Sequence, residues 1–87
     1  MKFTWDENKR RANLKKHQID FADAEKVFNG AMRIFQDTRF DYGEQRWVGI
    51  GFLGLSVVVI VHTETETEIR IISMRKATST EQTKFCI

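Results

Sequence analysis

The chain has 87 residues, of which 41% are hydrophobic and 30% are charged, and its formal net charge is +2. This length suits a single domain with one core, which we expect to span residues 1–87. The small net charge excludes a polycation that coats nucleic acid without specificity, so any anion site must come from local clusters of basic residues. One such cluster lies between Lys9 and His17, and another lies between Arg70 and Lys76.

The first predicted elements are a short strand and two helices. Residues 3–5 alternate apolar and polar side chains, as half-buried strands do. Asp6 is a good helix N-cap, and no helix breaker follows it before His17, where we expect the first helix to end. Asp20 is a second candidate N-cap, for a helix that Asn29-Gly30 closes.

The rest of the chain is predicted to form four strands and a terminal helix. Stretches rich in β-branched and aromatic residues are separated by turn signals, a pattern typical of antiparallel hairpins. The segment from Thr78 to Glu81 resembles a capping box that opens a short helix through Phe85. The order is therefore β-α-α-β-β-β-β-α, an α+β domain with helices packed on an antiparallel sheet. The predicted strands cover residues 31–39, 45–53, 56–62 and 68–74.

Several of these strands are apolar on both faces. In the third of them, Val57, Val59 and Val61 alternate with Val58 and Ile60. An open antiparallel sheet normally leaves one face to water. We therefore expect helices on both sides, or a partner protein, to cover the second face.

Cysteine content and hydropathy indicate the compartment. The single cysteine, Cys86, excludes an intrachain disulfide, and no Cys/His group has metal-ligand spacing, so we expect a reducing cytoplasm, no metal and no cofactor. The N-terminal residues lack the apolar stretch of a signal peptide. The longest apolar run, residues 57–61, is far shorter than the roughly 20 residues that span a bilayer, so we expect no membrane association.

Hairpin geometry predicts which side chains meet on the sheet. A two-residue loop at 54–55 pairs Leu53 with Ser56 and places Arg46 opposite Thr63. A second loop at 65–66 gives two further pairs, Glu68 with Thr63 and Arg70 with Val61. Arg75 has the opposite parity, so it can join this face only if the strand has ended and the chain has turned. The side chains placed together near one end of the sheet are Glu44, Arg46, Thr63, Glu68 and Arg70.

Two hypotheses account for this group. The first is a ladder of cross-strand ion pairs at the solvated end of the sheet. The second is a phosphodiester site, because metal-free RNA cleavage needs a base for the 2′-hydroxyl, an acid for the leaving 5′-oxygen and cations for the charged phosphorane. Arg46, Arg70 and Arg75 are the candidate cations. The candidates for proton transfer are His17, His62, Glu44, Glu68 and Tyr42.

The first helix has a basic stripe. Lys9, Asn13, Lys16 and His17 share one side of the helix by their spacing. The stripe is either an ordinary solvated face or a rim that binds the RNA backbone or the acidic surface of a protein partner. His17 follows two lysines, and a neutral imidazole there could act as a base.

A long ordered set of residues also matches a family pattern. As an ordered set at these spacings, the residues resemble the BrnT toxins from one end of the chain to the other. The set comprises Phe3-x-Trp5-Asp6, Lys9, Asn13, Lys16-His17, Phe21-x-x-Ala24-x-x-Val27-Phe28, Glu44-x-Arg46-Trp47, Ile50-Gly51, Val57-Val58-Val59, Arg70-Ile71-Ile72-Ser73-x-Arg75-Lys76-Ala77 and Glu81.

The resemblance implies a RelE-like fold and a ribonuclease that halts translation without a metal. It also implies neutralisation by a BrnA antitoxin with a ribbon-helix-helix domain, through which the toxin–antitoxin complex binds operator DNA. We expect the protein itself to form a homo- or hetero-oligomer. It agrees with the choice of basic residues on the sheet but assigns no general base. We predict catalytic roles for Arg46, Arg70, Arg75, His17 and Glu44, and RNA binding by Lys9, Asn13, Lys16 and Lys76.

The chain departs from the family pattern at several positions. Met74 replaces a usual Ala, Gln18 follows His17 where Gly is usual, and Gln82 and Phe85 stand where a basic residue and Tyr are common. Loss of a terminal hydroxyl favours a second hypothesis, a catalytically weak module that binds the antitoxin and acts in operon autorepression. A third hypothesis, a structural or nucleic-acid-binding domain with no toxin role, requires the resemblance to be accidental.

Overall fold

A computed structural model describes residues 1–85, and Cys86 lies outside them. The α+β class and the predicted element order are confirmed, and the bounds of the four long strands differ from the prediction by at most two residues. The predicted helix after Asp20 is instead a 3₁₀ turn, Phe21–Asp23, followed by a short helix. The elements are β1 (Lys2–Trp5), α1 (Glu7–His17), α2 (Ala24–Phe28), β2 (Met32–Asp37), β3 (Arg46–Leu53), β4 (Ser56–Glu64), β5 (Glu68–Lys76) and α3 (Ser79–Phe85).

The five strands form one sheet in the order β1-β5-β4-β3-β2. The prediction of an antiparallel sheet is correct for β2 to β5 and wrong for β1, which runs parallel to β5. A parallel neighbour needs a long connection, and most of the chain lies between these two strands. β1 pairs with residues 68–71, so within residues 1–85 the second half of β5 has no strand on that side.

Helix α1 begins and ends at identifiable caps. The Asp6 carboxylate accepts a hydrogen bond from the Lys9 backbone N–H at 3.1 Å, as an N-cap does. At the other end Gln18 has φ 58°, and its N–H donates to the Leu14 carbonyl. Glycine adopts this left-handed conformation at lower cost, so the replacement of glycine by Gln18 weakens this cap. Only Asn13 is buried in the helix, which is otherwise polar.

Helices cover both faces of the sheet, as the apolar strands predicted. One face, here called the α2 face, packs Val58, Ile60 and Ile71 against Phe21 and Val27. Each such side chain contributes roughly 1.5–3 kcal/mol when fully buried. The other, here called the α3 face, carries a smaller apolar cluster against which the terminal helix packs. Its members are Val48, Ile50, Val57, Val59 and Ala77, with Val61 and Phe85 at the edge.

The hairpin between β3 and β4 has the predicted register, whereas the next hairpin does not. Leu53 pairs with Ser56, and continuing this register places Arg46 beside Thr63. In the β4–β5 hairpin Arg70 pairs with Thr63, not with Val61, because the loop lies at residues 66–67, one residue later than predicted. Since side chains alternate with a period of two, this two-residue shift of the pairing keeps the first residues of β5, Arg70 included, on their predicted face.

A β-bulge in β5 then reverses the alternation. His62 pairs with Ile71 and Val61 pairs with Ser73, so Ile72 has no partner of its own on β4. One extra residue moves all later side chains to the opposite face. Arg75 consequently pairs with Val59 and lies on the α3 face. The prediction that Arg75 needs the strand to end is therefore wrong, because β5 continues to Lys76.

Residues 1–85 contain no helix that is both long and apolar enough to cross a bilayer.

Candidate functional site

Arg46 lies at the start of β3, on the α3 face, and is half-buried. Its guanidinium carbon lies 4.1 Å from the centroid of the Tyr42 ring, a cation–π contact. Its Nε donates to the Glu44 carboxylate at 3.0 Å. Glu44 and Tyr42 therefore orient Arg46. The hypothesis of ion pairs holds in part at this residue, since Arg46 pairs with Glu44.

Arg70 is exposed and lies two strands further across the same face, on β5. Its cross-strand neighbours are Thr63 on β4 and Thr4 on β1. Glu68 accepts a hydrogen bond from the Thr4 hydroxyl, and within residues 1–85 no carboxylate forms an ion pair with Arg70. Arg46 and Arg70 flank Thr63, so their Cα atoms are about 10 Å apart, two strand spacings. The predicted ladder therefore does not reach Arg70.

Arg75 forms a bidentate ion pair with Glu81. The Nη1–Oε1 and Nη2–Oε2 distances are 2.7 and 2.8 Å. This arginine lowers the pKa of Glu81 to about 2, helped by the Thr78 backbone N–H, which donates to the same carboxylate at 2.9 Å. The Glu81 N–H in turn donates to the Thr78 hydroxyl at 3.2 Å, which confirms the capping box. Glu81 thus fixes Arg75 to the start of α3.

The basic stripe of α1 meets the end of β5. His17, Lys16, Lys76 and Arg75 line one shallow depression of about 440 Å³. A neighbouring depression of about 250 Å³ is lined by Lys9, Lys16, His17 and Ser73, among others. The structure thus brings together an imidazole and four cations from two elements that are distant in sequence.

Asn13 belongs to the stripe by spacing but has a structural role. Its Nδ2 donates to the Ile19 and Met74 carbonyls at 3.1 and 2.9 Å, and its Oδ1 accepts from the Met74 N–H at 3.2 Å. The side chain therefore satisfies the backbone of β5 where β1 has ended, and these hydrogen bonds attach α1 to the sheet edge. Most other residues of α1 are polar, so spacing alone suggested that Asn13 also lies on the surface.

A second ion pair lies at the end of β2, among residues that the sequence did not single out as a site. Asp37 is buried and accepts from Nε and Nη2 of Arg39, both at 2.9 Å, and from the Tyr42 hydroxyl at 3.1 Å. Arg39 is the main reason that the pKa of Asp37 falls to about 2. The Arg39 N–H also donates to Asp37 at 3.2 Å. This Asx-type turn at Asp37-Thr38-Arg39 is the signal that could have found the pair.

These groups surround a groove of about 430 Å³ on the α3 face. Its floor is apolar and consists of Val48, Ile50, Val59 and Val61. Its rim is polar and charged, with Arg39 on one side and Ser73, Arg75, Glu81 and Lys84 on the other. The groove can accept a molecule that has both an apolar plane and a negative charge.

His62 is remote from this groove. It is fully buried on the α2 face, where its Nε2 lies 2.9 Å from Glu64 and its ring packs edge-on against Phe28. Burial lowers its pKa, and the Glu64 carboxylate opposes this effect only in part. Among residues 1–85 no group hydrogen-bonds the buried Nδ1, although the nearby Ile60 backbone slightly favours the charged form of the ring. A neutral, structural histidine fits this environment.

A family model described as the ribonuclease toxin BrnT of type II toxin–antitoxin systems matches residues 5–81. The chain belongs to the BrnT family. Among solved structures, the Brucella abortus ribonuclease toxin BrnT is 35% identical to this chain, with a TM-score of 0.72. The match covers 91% of this chain and 99% of that one. No curated protein matches the chain.

Membership of the BrnT family makes this protein a ribonuclease toxin of a type II toxin–antitoxin system. An RNA target and an antitoxin partner follow from that class. Besides Gln18 at the end of α1, three residues that depart from the BrnT pattern have identifiable contacts. Met74 is fully buried in the core of the α2 face, Gln82 donates to the Ala77 carbonyl at 3.2 Å, and the Phe85 ring packs edge-on against Phe52 at 5.1 Å.

Proposed function

We propose that the protein is a metal-independent RNA endonuclease that inhibits translation and growth in the cytoplasm. In this proposal a BrnA-like antitoxin neutralises it and, through a ribbon-helix-helix domain, links the complex to operator DNA. The observation that supports the site is the bulge at Ile72, since Arg46, Arg70 and Arg75 then share the α3 face. Arginine suits this chemistry because its planar, permanently charged fork matches the oxygens of a phosphate.

We place the reaction centre at the depression between α1 and β5. His17 takes the proton of the 2′-hydroxyl, and the resulting oxygen attacks the adjacent phosphorus. Arg75 and Lys76, which line the same depression as His17, stabilise the charge that develops on the phosphorane oxygens. The 5′-oxygen leaves as it takes a proton from solvent water in this open depression, and a 2′,3′-cyclic phosphate remains.

The other arginines bind the strand on either side of the scissile bond. Arg46 and Arg70 are too far from Arg75 along the strands to contact one phosphate with it, so they contact neighbouring phosphates. Glu44 acts by holding Arg46. Lys9 and Lys16, which are exposed on α1, extend the cationic surface beside His17.

The test is cleavage of single-stranded RNA by the purified protein with EDTA present, together with growth after induced expression. Cleavage should persist in EDTA, and Arg46→Ala, Arg70→Ala, Arg75→Ala and His17→Ala should each reduce both cleavage and toxicity. Lys26→Gln is the control, because it removes an exposed cation from α2 on the other side of the sheet. Full toxicity in the three arginine variants would refute the assignment, and loss of cleavage in EDTA would refute metal independence.

One observation favours a second function, antitoxin binding and operon autorepression with weak catalysis. The last described residue of α3 is Phe85, whose ring packs on Phe52 and offers no hydroxyl to the groove. If the protein binds antitoxin with high affinity but the wild type never cuts RNA, alone or on ribosomes, this function replaces the first one.

A further inference from the structure

Arg39 and Arg75 converge from opposite sides of the groove on the α3 face. The Glu81 hydrogen bond raises the pKa of Arg75, and the positive charge of Arg39 opposes this shift slightly, as expected for two cations that line one groove. Like charges held together in this way favour an anion between them. Ser73 and Lys84, on the same rim, add a hydroxyl and a third cation.

The two arginines are held in place by carboxylates. Asp37 binds Nε and Nη2 of Arg39, and Glu81 binds both terminal nitrogens of Arg75. Within residues 1–85, Nη1 of Arg39 has no hydrogen-bond partner, and the Arg39 side chain is 63% exposed. The guanidinium is therefore oriented by Asp37 while one of its donor groups still points to solvent.

Between these cations the groove has an apolar lining. Val48, Ile50, Val59 and Val61 form its floor, and the Phe35 ring stands beside them with 51% of the residue exposed. Exposed aromatic rings beside cations are the arrangement by which proteins bind single-stranded nucleic acid, with the base stacked and the phosphate paired. A volume of about 430 Å³ is enough for one nucleotide.

We propose that this groove is a subsite for one unstacked nucleotide of single-stranded RNA, with its phosphate between Arg39 and Arg75 and its base against Phe35 and the apolar floor. The proposal rests on the function proposed above and adds two residues to it, Arg39 and Phe35. RNA fits better than an acidic peptide because a flat base fills the floor while its own phosphate reaches the two arginines.

The test measures the binding of a short single-stranded RNA with 2′-O-methyl groups, which removes the attacking hydroxyl, by fluorescence anisotropy. Arg39→Gln should weaken binding about 10-fold and lower the slope of log K against log salt by about 0.7, the value for one phosphate contact on a single strand. Phe35→Ala should weaken binding roughly 10-fold with an unchanged salt slope. An oligonucleotide abasic at every position should bind wild type and Phe35→Ala equally.

Two controls match these variants. Lys26→Gln removes a cation that is paired with a carboxylate, Asp23, as Arg39 is with Asp37, but it lies on the other side of the sheet. Ile34→Ala removes a half-exposed apolar side chain from the opposite face of the same strand as Phe35. Both controls should bind RNA with wild-type affinity. If Arg39→Gln does not fold, Phe35→Ala and the abasic oligonucleotide still decide the question.

Different experimental results would refute the subsite and the proposed function. If the wild type binds and cleaves RNA, and Arg39→Gln and Phe35→Ala do so equally well, the subsite is refuted and the proposed function stands. Loss of antitoxin binding in these variants with RNA binding intact would likewise refute the subsite, because the occupant would then be protein. A wild type that neither binds nor cleaves RNA refutes both.

Discussion

Arg70 and Arg75 project from the same face of the sheet although five positions separate them in β5. In a regular strand an odd separation places two side chains on opposite faces. The unpaired Ile72 between Ser73 and Ile71 removes this conflict, and it turns Arg75 toward the groove rather than into the apolar core of the α2 face. The bulge is therefore what makes a shared cationic surface possible.

Arg75 should be the arginine on which cleavage depends most. Arg75→Ala should lower the single-turnover rate of RNA cleavage by about 10²- to 10³-fold, the range found when one donor to a developing oxyanion is removed. Arg75→Lys should recover only part of this loss, because an ammonium lacks the planar fork. Arg11→Ala is the control, since helical spacing places Arg11 away from Lys9 and Asn13. A folded Arg75→Ala protein with a rate near wild type would contradict the assignment.

The three arginines of the α3 face show which parts of the site could be predicted from the sequence. Alternation and a two-residue loop correctly placed Arg46 beside Thr63, because that hairpin is regular. The next loop lies one residue later than predicted, which shifts the strand pairing by two residues, so Arg70 stays on its predicted face. The bulge could not be foreseen, since Ile71 and Ile72 are β-branched residues typical of a regular strand and β5 contains no glycine.

The remaining gaps have a different origin. The residues of the α1 stripe do lie on one side of the helix, beside β5. Spacing alone cannot distinguish a side chain that packs against a sheet edge from one in water, and Asn13 packs against the edge of β5. The Asp37–Arg39 pair has a local signal in its Asx-type turn, but only folding places Arg39 across the groove from Arg75. Likewise, the parallel pairing of β1 depends on the whole intervening chain and has no local signal.

Acid should destabilise the fold through Glu81. Its pKa is about 2 in the folded chain against an ordinary value of 4.5, so the unfolded chain takes up a proton first as the pH falls. The ion pair with Arg75 therefore contributes its full stability above about pH 4.5 and loses it progressively toward pH 2. Glu81→Gln should be less stable than wild type at pH 7, by about 1 kcal/mol for a partly exposed pair, and should lose less stability between pH 4.5 and 2.5.

Urea unfolding at several pH values measures this effect. Glu25→Gln, which removes an exposed carboxylate from α2, serves as the control and should follow the wild-type curve. Asp37, whose pKa is also about 2, should account for much of the acid sensitivity that remains in Glu81→Gln. Parallel curves for wild type and Glu81→Gln would show that the ion pair does not couple to folding.

His62 should make stability depend on pH in a higher window. Burial lowers its pKa below the ordinary 6.5, so below about pH 6.5 the unfolded chain binds a proton that the folded chain resists. The contribution of His62 to the free energy of unfolding should therefore be constant above pH 6.5. At lower pH this contribution should decrease, by up to about 1.4 kcal/mol per pH unit.

The matched variant for this effect is His62→Gln, which keeps a donor for Glu64 but cannot ionise in this range. It should be less stable than wild type at pH 7.5 because its shape differs from a ring packed on Phe28, yet its stability should change less between pH 7 and pH 5. Equal slopes for the two proteins in this interval would mean that His62 is not held neutral by the fold.

Asn13 should be required for stability rather than for RNA contact. Asn13→Ala leaves the Met74 N–H without its acceptor and the Met74 and Ile19 carbonyls without their donor, all at a buried edge. Each unsatisfied buried group costs about 1–3 kcal/mol, and partial access of water to the edge reduces the sum, so we expect a loss of about 3 kcal/mol. Thermal and urea unfolding measure it directly.

The control is Asn8→Ala, which removes the same side chain from an exposed position on α1 and should change stability by less than about 0.5 kcal/mol. RNA affinity provides the second readout, taken at a temperature where both variants remain folded. Because the Asn13 amide is directed at the backbone of β5, Asn13→Ala should retain wild-type affinity there, whereas Lys16→Gln should weaken binding and leave stability unchanged. The opposite result, normal stability with weakened RNA binding, would return Asn13 to the RNA-contacting surface and leave the attachment of α1 to β5 without its proposed cause.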